Sequence, residues 1–398
     1  MLIGNFSYQQ SICLWVSLVI MREKLDAQSI MKHRAINILL LIIITVVFLG
    51  IFPGNSQTAE AANSAIKIYI PLAIKPPEKL IGMYFQGLPL IEQDSYDGII
   101  NPTNNWSGNK LSIIGTFMNT YVDGNYYFHV AGTLDQVWDN GYVPFVNLEI
   151  NATAYEIAAG RRDREINSWA LAYKTYADGP NGEKRFAFLA PLQEMNSCQQ
   201  GGCWTKWGGD PGNYIIAYRR IHQIFDQVGV PHSSVRWVFA PNGWSHYRYD
   251  YPFEDYYPGK EFVDVVAISA YNFGGCLPNA WQTPEQVFNN PKANYLSEGK
   301  FLDRMRILAP GKKIFISQTG TAGGSTAKNS WLNEAHDYLA GYPGVSGVLY
   351  FNLRSQCEWR VYSPPGVEYP GYVEGVLNSV YTRQTPQEIR DDLVFITR

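Results

Sequence analysis

The sequence has none of the short motifs that would identify its chemistry at once. It contains no run of basic residues, and its formal net charge is −3, so nothing supports a nucleic-acid partner. No GxGxxG or GxxxxGK[ST] motif follows an apolar run, which argues against a nucleotide-binding sheet. CxxC spacing with a nearby His pair is missing, as is a DxDxDG loop. We therefore expect no bound metal and no other cofactor.

Cysteine is scarce, with five in 398 residues, and Cys13 belongs to the N-terminal extension. The other four are Cys198, Cys203, Cys276 and Cys357. An even number in an exported chain indicates disulfides, and four cysteines allow three connectivities. The short loop between Cys198 and Cys203 favours a local bridge, which leaves Cys276 and Cys357 as the second pair.

One long apolar run lies near the N-terminus, at residues 35–52. It follows the basic segment KHR at 32–34 and precedes AEA at 59–61, a small-x-small cleavage pattern. This layout is typical of a signal peptide, so we expect residues 1–61 to be an upstream extension with a secretion signal. The alternative is an uncleaved membrane anchor, because the run approaches the roughly 18 residues that span a bilayer. Both place the rest of the chain outside the cytoplasm.

Eight short, nearly continuous apolar runs follow a predicted linker at 62–79. Such runs are expected for parallel strands that are covered on both faces. They cover residues 80–86, 112–119, 143–150, 186–193, 235–242, 264–272, 313–320 and 347–353. Apolar spacing near 3.6 predicts helices between several of them, at 155–177, 211–228, 297–308 and 327–340. Asp210 and Pro211 supply a cap and a first-turn proline for the second of these helices.

This alternation of strands and helices implies a parallel sheet. Eight strands favour an α/β fold of the closed (β/α)8 TIM barrel type over residues 80–385, with an open doubly wound sheet as the alternative. Residues 386–398 would then form a C-terminal tail. We expect a single barrel domain and a monomer.

Polar side chains follow the apolar runs, at the strand ends where barrel enzymes place their catalytic groups. They are mostly amides and carboxylates, namely Gln86, Asn119, Glu149, Glu194, Asn196, Asn242, Tyr271, Asn272, Gln318 and Asn352. The set has no Ser/His pair for acyl transfer and no His/Asp cluster for a metal. Such a ring suits a substrate made of hydroxyl groups, although single Asn and Gln residues at strand ends can simply cap loops.

Glu194 is the strongest candidate for chemistry. A carboxyl at the end of an apolar strand, beside aromatic loop residues, should have its pKa raised by desolvation. A general acid that protonates a leaving alkoxide needs a raised pKa. The alternative is a buried glutamate that is satisfied by an arginine or a backbone amide.

The segment around Glu194 resembles glycoside hydrolase family 26, the β-mannanase-like barrels. PLQEMN at 191–196 and WTKWG at 204–208 are similar to the family segments P-L-H-E-M-N and W-x-x-W-G. The cysteine loop at 198–203 looks like an insertion between them.

The resemblance extends from about residue 80 to 355. WVFAPN at 237–242 looks like the strand-5 segment of the family, and YYPGKEFVD at 256–264 looks like its Y-P-G-D-x-Y-V-D stretch. Tyr271 matches the strand-6 tyrosine that contacts the nucleophile. The resemblance implies a (β/α)8 barrel that hydrolyses β-mannan or a related β-glucan outside the cell, with Glu194 as general acid/base.

A polysaccharide or oligosaccharide is thus the expected partner, and the membrane is one only if the N-terminal segment stays uncleaved. Stacking aromatics and strand-end amides would hold the sugar. We expect these contacts at Asn196, Trp204, Trp207, Asn242, Trp244, Tyr271 and Trp281.

The sequence departs from the family where the chemistry occurs. Gln193 stands where the family has histidine, and Ala190 where it has arginine. Its nucleophile, a glutamate at the end of strand 7, aligns with Gln318. Retaining hydrolysis needs a carboxylate about 5–5.5 Å from the acid, and a neutral amide is a poor nucleophile.

Gln318 is compatible with three hypotheses. In the first, Glu149 serves as the nucleophile, or as the base of an inverting reaction about 6.5–9.5 Å from Glu194. In the second, a 2-acetamido sugar supplies its own amide nucleophile and Gln318 orients it. In the third, the barrel is catalytically silent and holds glycan without cutting it.

Overall fold

The computed structural model describes residues 78–85, 96–121, 125–243, 249–278, 280–290 and 299–393. The predicted signal or anchor segment, most of the linker, Gln86 and Trp244 lie outside the described residues. Within the described ranges, no helix has the length and apolar character that a membrane crossing requires.

Eight parallel strands close into a barrel, which confirms the predicted fold. They are β1 (Leu80–Phe85), β2 (Leu111–Asn119), β3 (Val143–Glu149), β4 (Ala187–Pro191), β5 (Val235–Phe239), β6 (Val265–Asn272), β7 (Lys313–Thr321) and β8 (Val345–Asn352). The strands follow one another around the barrel in chain order, and β1 pairs with both β2 and β8. All eight carboxyl ends therefore meet at one rim.

Helices separate most of the strands; between β5 and β6 the described residues form the 3-10 turn Phe253–Tyr256. The helices are α1 (Asn101–Trp106), α2 (Thr133–Asp139), α3 (Ala154–Ala158), α4 (Asp163–Asp178), α5 (Pro211–Val228), α6 (Pro284–Asn289), α7 (Phe301–Leu308), α8 (Ser325–Gly341), α9 (Pro370–Val376) and α10 (Pro386–Leu393). Single π-helical turns at Tyr96–Ile100 and Tyr127–Gly132 precede α1 and α2, and 3-10 turns occupy His232–Ser234 and Phe253–Tyr256. Two small hairpins pair Cys198–Gln199 with Gly202–Cys203, and Tyr362–Ser363 with Val367–Glu368.

The predicted boundaries of α5 are confirmed at both ends, whereas the single helix predicted at 155–177 is wrong. Asp210 caps α5, because its Oδ1 accepts a hydrogen bond from the backbone N–H of Asn213 at 3.2 Å. The 155–177 segment divides into α3 and α4 at Gly160, which has a φ of 78°. This φ is one that glycine adopts readily, and a Cβ on Gly160 would lie 2.4 Å from Arg220 Nη2 of α5, so a larger residue would require the Arg220 side chain to move.

The apolar core has two layers, because successive side chains of a strand point to opposite faces of the sheet. One set fills the barrel, with Phe145, Phe188 and Phe315 among its largest members. The other packs the outside of the strands against the helices. Ile389 of α10 is buried with the inner set, so this part of the predicted C-terminal tail packs on the barrel.

Both predicted disulfides are present, Cys198–Cys203 and Cys276–Cys357. The first closes the small hairpin after β4. The second joins the loop after β6 to the loop after β8, so it ties two segments that border the same end of the barrel.

Candidate active site

A cavity of about 510 Å³ lies at the carboxyl rim of the barrel. Its walls come from the ends of β2, β3, β4, β6, β7 and β8, from the loops that follow them, and from Asn242 in the segment after β5. The residues that line it are Phe117, Asn119, Glu149, Ile150, Asn151, Gln193, Glu194, Trp204, Thr205, Lys206, Trp207, Asn242, Ser269, Tyr271, Phe273, Gln318, Phe351, Ser355, Gln356 and Trp359. Among the described residues on these walls, Glu149 and Glu194 are the two carboxylates.

Glu194 follows β4 in a turn with an unusual backbone. Leu192 and Glu194 both adopt positive φ, at 56° and 57°, which is costly for residues with a Cβ. The N–H of Glu194 donates to the Ala240 carbonyl at 2.8 Å, which ties the turn to the end of β5. This turn brings the Glu194 carboxyl to the cavity wall.

The surroundings of Glu194 favour its protonated form. Burial raises the pKa of Glu194 to about 7 from its ordinary value of 4.5, the Ser269 hydroxyl opposes the rise, and the charge of Glu149 adds to it. The side chain still reaches the cavity, but protein atoms surround it on its other sides and replace the water that would solvate a carboxylate. Desolvation of Glu194 was expected from the sequence.

Glu149 lies at the end of β3, beside Glu194. Its Oε1 accepts a hydrogen bond from Gln193 Nε2 at 3.2 Å, and Gln193 is 4% exposed. Burial raises the pKa of Glu149, and the bond from Gln193 partly offsets this rise. Gln193 thus contacts the second carboxylate of the cavity.

Gln318 lies at the end of β7 and is bonded to the strand-6 tyrosine. The Tyr271 hydroxyl donates to Gln318 Oε1 at 2.9 Å. Behind this pair, Tyr84 donates to the Ser317 carbonyl at 2.9 Å and accepts a hydrogen bond from Asn147 Nδ2 at 2.9 Å. The charge of Glu194 contributes to raising the pKa of both tyrosines, although burial is the larger cause. The Gln318 amide therefore lies in the same cavity as Glu194, the candidate acid.

The other predicted sugar-binding residues fall into three groups. Trp204, Trp207 and Asn242 line the cavity with Tyr271. Asn196 is fully buried behind the wall, where it accepts the Asn242 N–H at 2.7 Å and donates to the Asn242 carbonyl at 3.1 Å.

Trp281 lies outside the cavity and is 43% exposed, and Trp244 lies outside the described residues. The structure thus brings together Glu149, Glu194, Gln318 and four of the predicted contacts.

Sequence reasoning missed several aromatic residues of the wall. The Trp359 indole packs on the Tyr271 ring with centroids 5.0 Å apart, and Phe351 packs edge-on against Tyr271 at 5.8 Å. Phe117 precedes the end of β2 by two residues and therefore shares the face of Asn119. Strand alternation was a usable signal for Phe117, whereas no sequence signal places Trp359, because it comes from a long loop.

Lys206 is the one cation among the described residues of the cavity wall, and it donates to Asn151 Oδ1 across the rim at 2.5 Å. Within the described ranges, no group of three or more His, Cys, Asp or Glu side chains has an arrangement that could hold a metal ion. The side chains of this site can transfer protons and form hydrogen bonds.

The chain is similar in sequence to known polysaccharide-degrading enzymes. It is 26% identical over 307 residues to Endoglucanase H of Acetivibrio thermocellus, a match that covers 72% of this chain and 30% of that protein. It is 26% identical over 171 residues to the mannan endo-1,4-beta-mannosidase of Bacillus subtilis, which covers 35% of this chain and 43% of that enzyme. The chain thus spans less than half the length of these two relatives. No family model matches it.

Solved structures confirm the fold and the expected resemblance to glycoside hydrolase family 26. GH26A from a Muricauda species superposes with a TM-score of 0.52 at 15% identity, over 79% of this chain and 93% of that one. The modular endo-beta-1,4-mannanase of Cellulomonas fimi superposes with a TM-score of 0.53 at 16% identity, over 78% of this chain and 72% of that one. At these identities the likeness concerns the fold alone.

Proposed function

We propose that this chain is a secreted glycoside hydrolase-like protein that takes a β-linked polysaccharide, β-mannan or a related β-glucan, into the rim cavity and cleaves it with Glu194 as general acid. The observation that carries the proposal is the pair of carboxylates in one aromatic-walled cavity. A carboxylic acid with a pKa of about 7 can protonate a leaving sugar oxygen at neutral pH. The similarity to mannanases and an endoglucanase supports the substrate class.

Glu149 is the second carboxylate of the proposed reaction. The hydrogen bond that Gln193 donates to Glu149 Oε1 favours the charged form of this carboxyl, which a base needs. Glu194 gives its proton to the leaving oxygen as the glycosidic bond breaks. Ionised Glu149 takes a proton from a water molecule, whose oxygen forms the new bond to the anomeric carbon. Gln318 is neutral, so no glycosyl ester forms at the end of β7.

Secretion is part of the proposal. Two disulfides outside the N-terminal segment indicate an oxidising compartment, because thiols stay reduced in the cytosol.

A second candidate function is glycan binding without cleavage. The neutral side chain of Gln318 favours it, because an amide is a poor nucleophile and here serves as the acceptor of the hydrogen bond from Tyr271. In this case the aromatic wall would retain the sugar and Glu194 would only add a hydrogen bond.

The proposal is tested by incubating the secreted protein with four substrates and measuring both reducing ends and glycan binding. The substrates are β-mannan, mixed-linkage β-glucan, xylan and N-acetylated oligosaccharides. We expect new reducing ends from mannan or glucan, lost by about 10²–10⁴-fold in Glu194→Gln and in Glu149→Gln. Saturable binding without turnover would establish the silent binder instead. Turnover of N-acetylated substrates alone would indicate substrate assistance. If the protein neither bound nor cleaved any of these glycans, both functions would be refuted.

A further inference from the structure

Trp281 lies on a surface made of glycine backbone. Gly274 follows β6 and Gly323 follows β7, and neither has a positive φ, so their backbone conformations would admit other residues. A Cβ on Gly274 would lie 2.5 Å from Trp281 Cα and Cε3, and one on Gly323 would lie 3.1 Å from Trp281 Cζ3. Proximity to the indole therefore accounts for glycine at both positions.

The two glycine loops also contact each other. A Cβ on Gly275 would lie 2.2 Å from the Cα of Gly323, and the N–H of Gly275 donates to the Ala322 carbonyl at 2.8 Å. The next residue, Cys276, is bonded to Cys357. Backbone contact, a hydrogen bond and a disulfide thus hold the support beneath Trp281 in place.

The remainder of the Trp281 side chain faces solvent. Trp281 is 43% exposed, whereas Trp169, Trp237 and Trp331 are almost wholly buried. A large apolar ring that is supported from below and open above fits the C–H face of a pyranose, which is itself flat and apolar. The loop gains nothing in stability from the open half of the ring, because that half remains in water.

Trp281 lies next to the cavity but not in it. Gly274, which touches the indole, directly follows Phe273 of the cavity wall. The ring of Phe273 packs edge-on against that of Trp359, with centroids 5.1 Å apart. Trp281 therefore lies close to the part of the cavity wall that Phe273 forms.

We propose that Trp281 is the stacking platform of a separate sugar subsite beyond the cavity, where it binds a pyranose of the same β-linked polysaccharide chain. This inference rests on the proposed function. It assigns Trp281 to recognition of long chains, while the cavity residues recognise the sugars at the reacting bond.

The test compares dissociation constants for mannobiose and mannohexaose in the wild type and in Trp281→Ala. Stacking that removes roughly 60 Å² of apolar surface from water gives about a tenfold effect on affinity. We expect Trp281→Ala to bind mannohexaose about tenfold more weakly and to leave mannobiose unchanged. Trp281→Phe, which keeps a smaller ring, should recover part of the affinity.

Two glycine variants separate the platform from a loss of folding. Gly323→Ala places a methyl group 3.1 Å from the indole, so it should tilt the ring and weaken mannohexaose binding. Gly324→Ala is the matched control, because its Cβ would meet no atom within 4 Å. Thermal unfolding of all variants checks that the barrel is intact.

The outcomes also distinguish failure of the Trp281 platform from failure of the proposed function on which it rests. Equal mannohexaose affinity in the wild type and Trp281→Ala would overturn the platform and leave the proposed function standing. An equal loss for both oligosaccharides would assign Trp281 to the cavity and also overturn it. Failure of the wild type to bind either oligosaccharide would refute the platform, and the mannan-directed function with it.

Discussion

The Tyr271 hydroxyl donates a hydrogen bond of 2.9 Å to Gln318 Oε1, at the ends of two adjacent barrel strands. A carboxylate in the place of this amide would accept the same bond. The surroundings of Gln318 thus remain suited to an acceptor, while the amide supplies no negative charge. This position therefore offers a hydrogen-bond acceptor but no carboxylate nucleophile.

Gln318→Glu should therefore gain hydrolysis, or increase it. The new carboxylate would accept the hydrogen bond from the Tyr271 hydroxyl and could attack the anomeric carbon from the end of β7. Its charge would also raise the pKa of Glu194 further, which keeps the acid protonated. Reducing-end release and trapping of a glycosyl-enzyme by mass spectrometry measure the gain.

Gln356→Glu is the control for this gain. It adds a carboxylate to the same cavity from the loop after β8 rather than from the end of β7. Equal activation by both substitutions would mean that added charge alone, and not its position, is responsible.

The acidity of Glu194 should be visible as a pH dependence of activity. With a pKa of about 7 the side chain is protonated below neutrality, so turnover that needs its proton should fall as pH rises through about 7. The pH profile of kcat/KM on mannan measures this fall in activity. A profile that stays flat to alkaline pH would exclude Glu194 as the acid.

The free energy of unfolding should also depend on the protonation of Glu194. Burial raises the pKa of Glu194 in the folded state from its ordinary 4.5 to about 7. Protonation of Glu194 therefore stabilises the folded state, fully at pH below 4.5, and this stabilisation is lost as the pH rises through about 7. Glu194→Gln should remove this slope and stabilise the protein above neutrality by on the order of 2 kcal/mol. Denaturant unfolding at several pH values measures the difference, with Glu334→Gln on the exposed face of α8 as the control.

The barrel could be predicted from the sequence because repeated local patterns encode its strands and helices. Each of the eight apolar runs became a strand, and the cap at Asp210 placed the start of α5 at the predicted residue. The break at Gly160 was not predicted, because apolar spacing near 3.6 spans the segment 155–177 and a single glycine does not by itself mark a break.

The candidate site was predictable where it depends on strand ends. Glu149, Glu194 and Gln318 meet because parallel strands deliver their carboxyl ends to one rim. Trp359 and Trp281 come from loops, whose course depends on long-range contacts such as the Cys276–Cys357 bridge. Their places relative to the cavity could not be derived from spacing alone.

The two disulfides should differ in their contribution to stability. Cys276 and Cys357 are 81 positions apart, whereas Cys198 and Cys203 are 5 apart. A bridge restricts the unfolded chain more when it closes a longer loop, which gives about 4.5 kcal/mol for the first and about 2 kcal/mol for the second. Thermal unfolding of the Cys276→Ser/Cys357→Ser and Cys198→Ser/Cys203→Ser variants measures the two contributions, and the reverse order would contradict the loop-entropy argument.

Lys328 should be essential for the loop that carries Trp359. Its ammonium group is buried beneath this loop and donates to the carbonyls of Glu358, Trp359 and Arg360 at 3.0, 3.1 and 3.0 Å. In Lys328→Met the Trp359 carbonyl keeps the hydrogen bond from Tyr350, but the other two lose this donor. Each buried acceptor left without a partner costs about 1–3 kcal/mol.

We therefore expect Lys328→Met to be destabilised by about 2–4 kcal/mol and to bind glycan more weakly, because Trp359 packs on Tyr271 and so supports the Gln318 contact. Lys174→Met is the matched control, since Lys174 forms a surface ion pair with Asp178 on α4 whose loss costs about 0.5 kcal/mol. Chemical denaturation and glycan titration of both variants measure the two effects. Equal stabilities for the two variants would show that the loop holds its shape without the buried lysine.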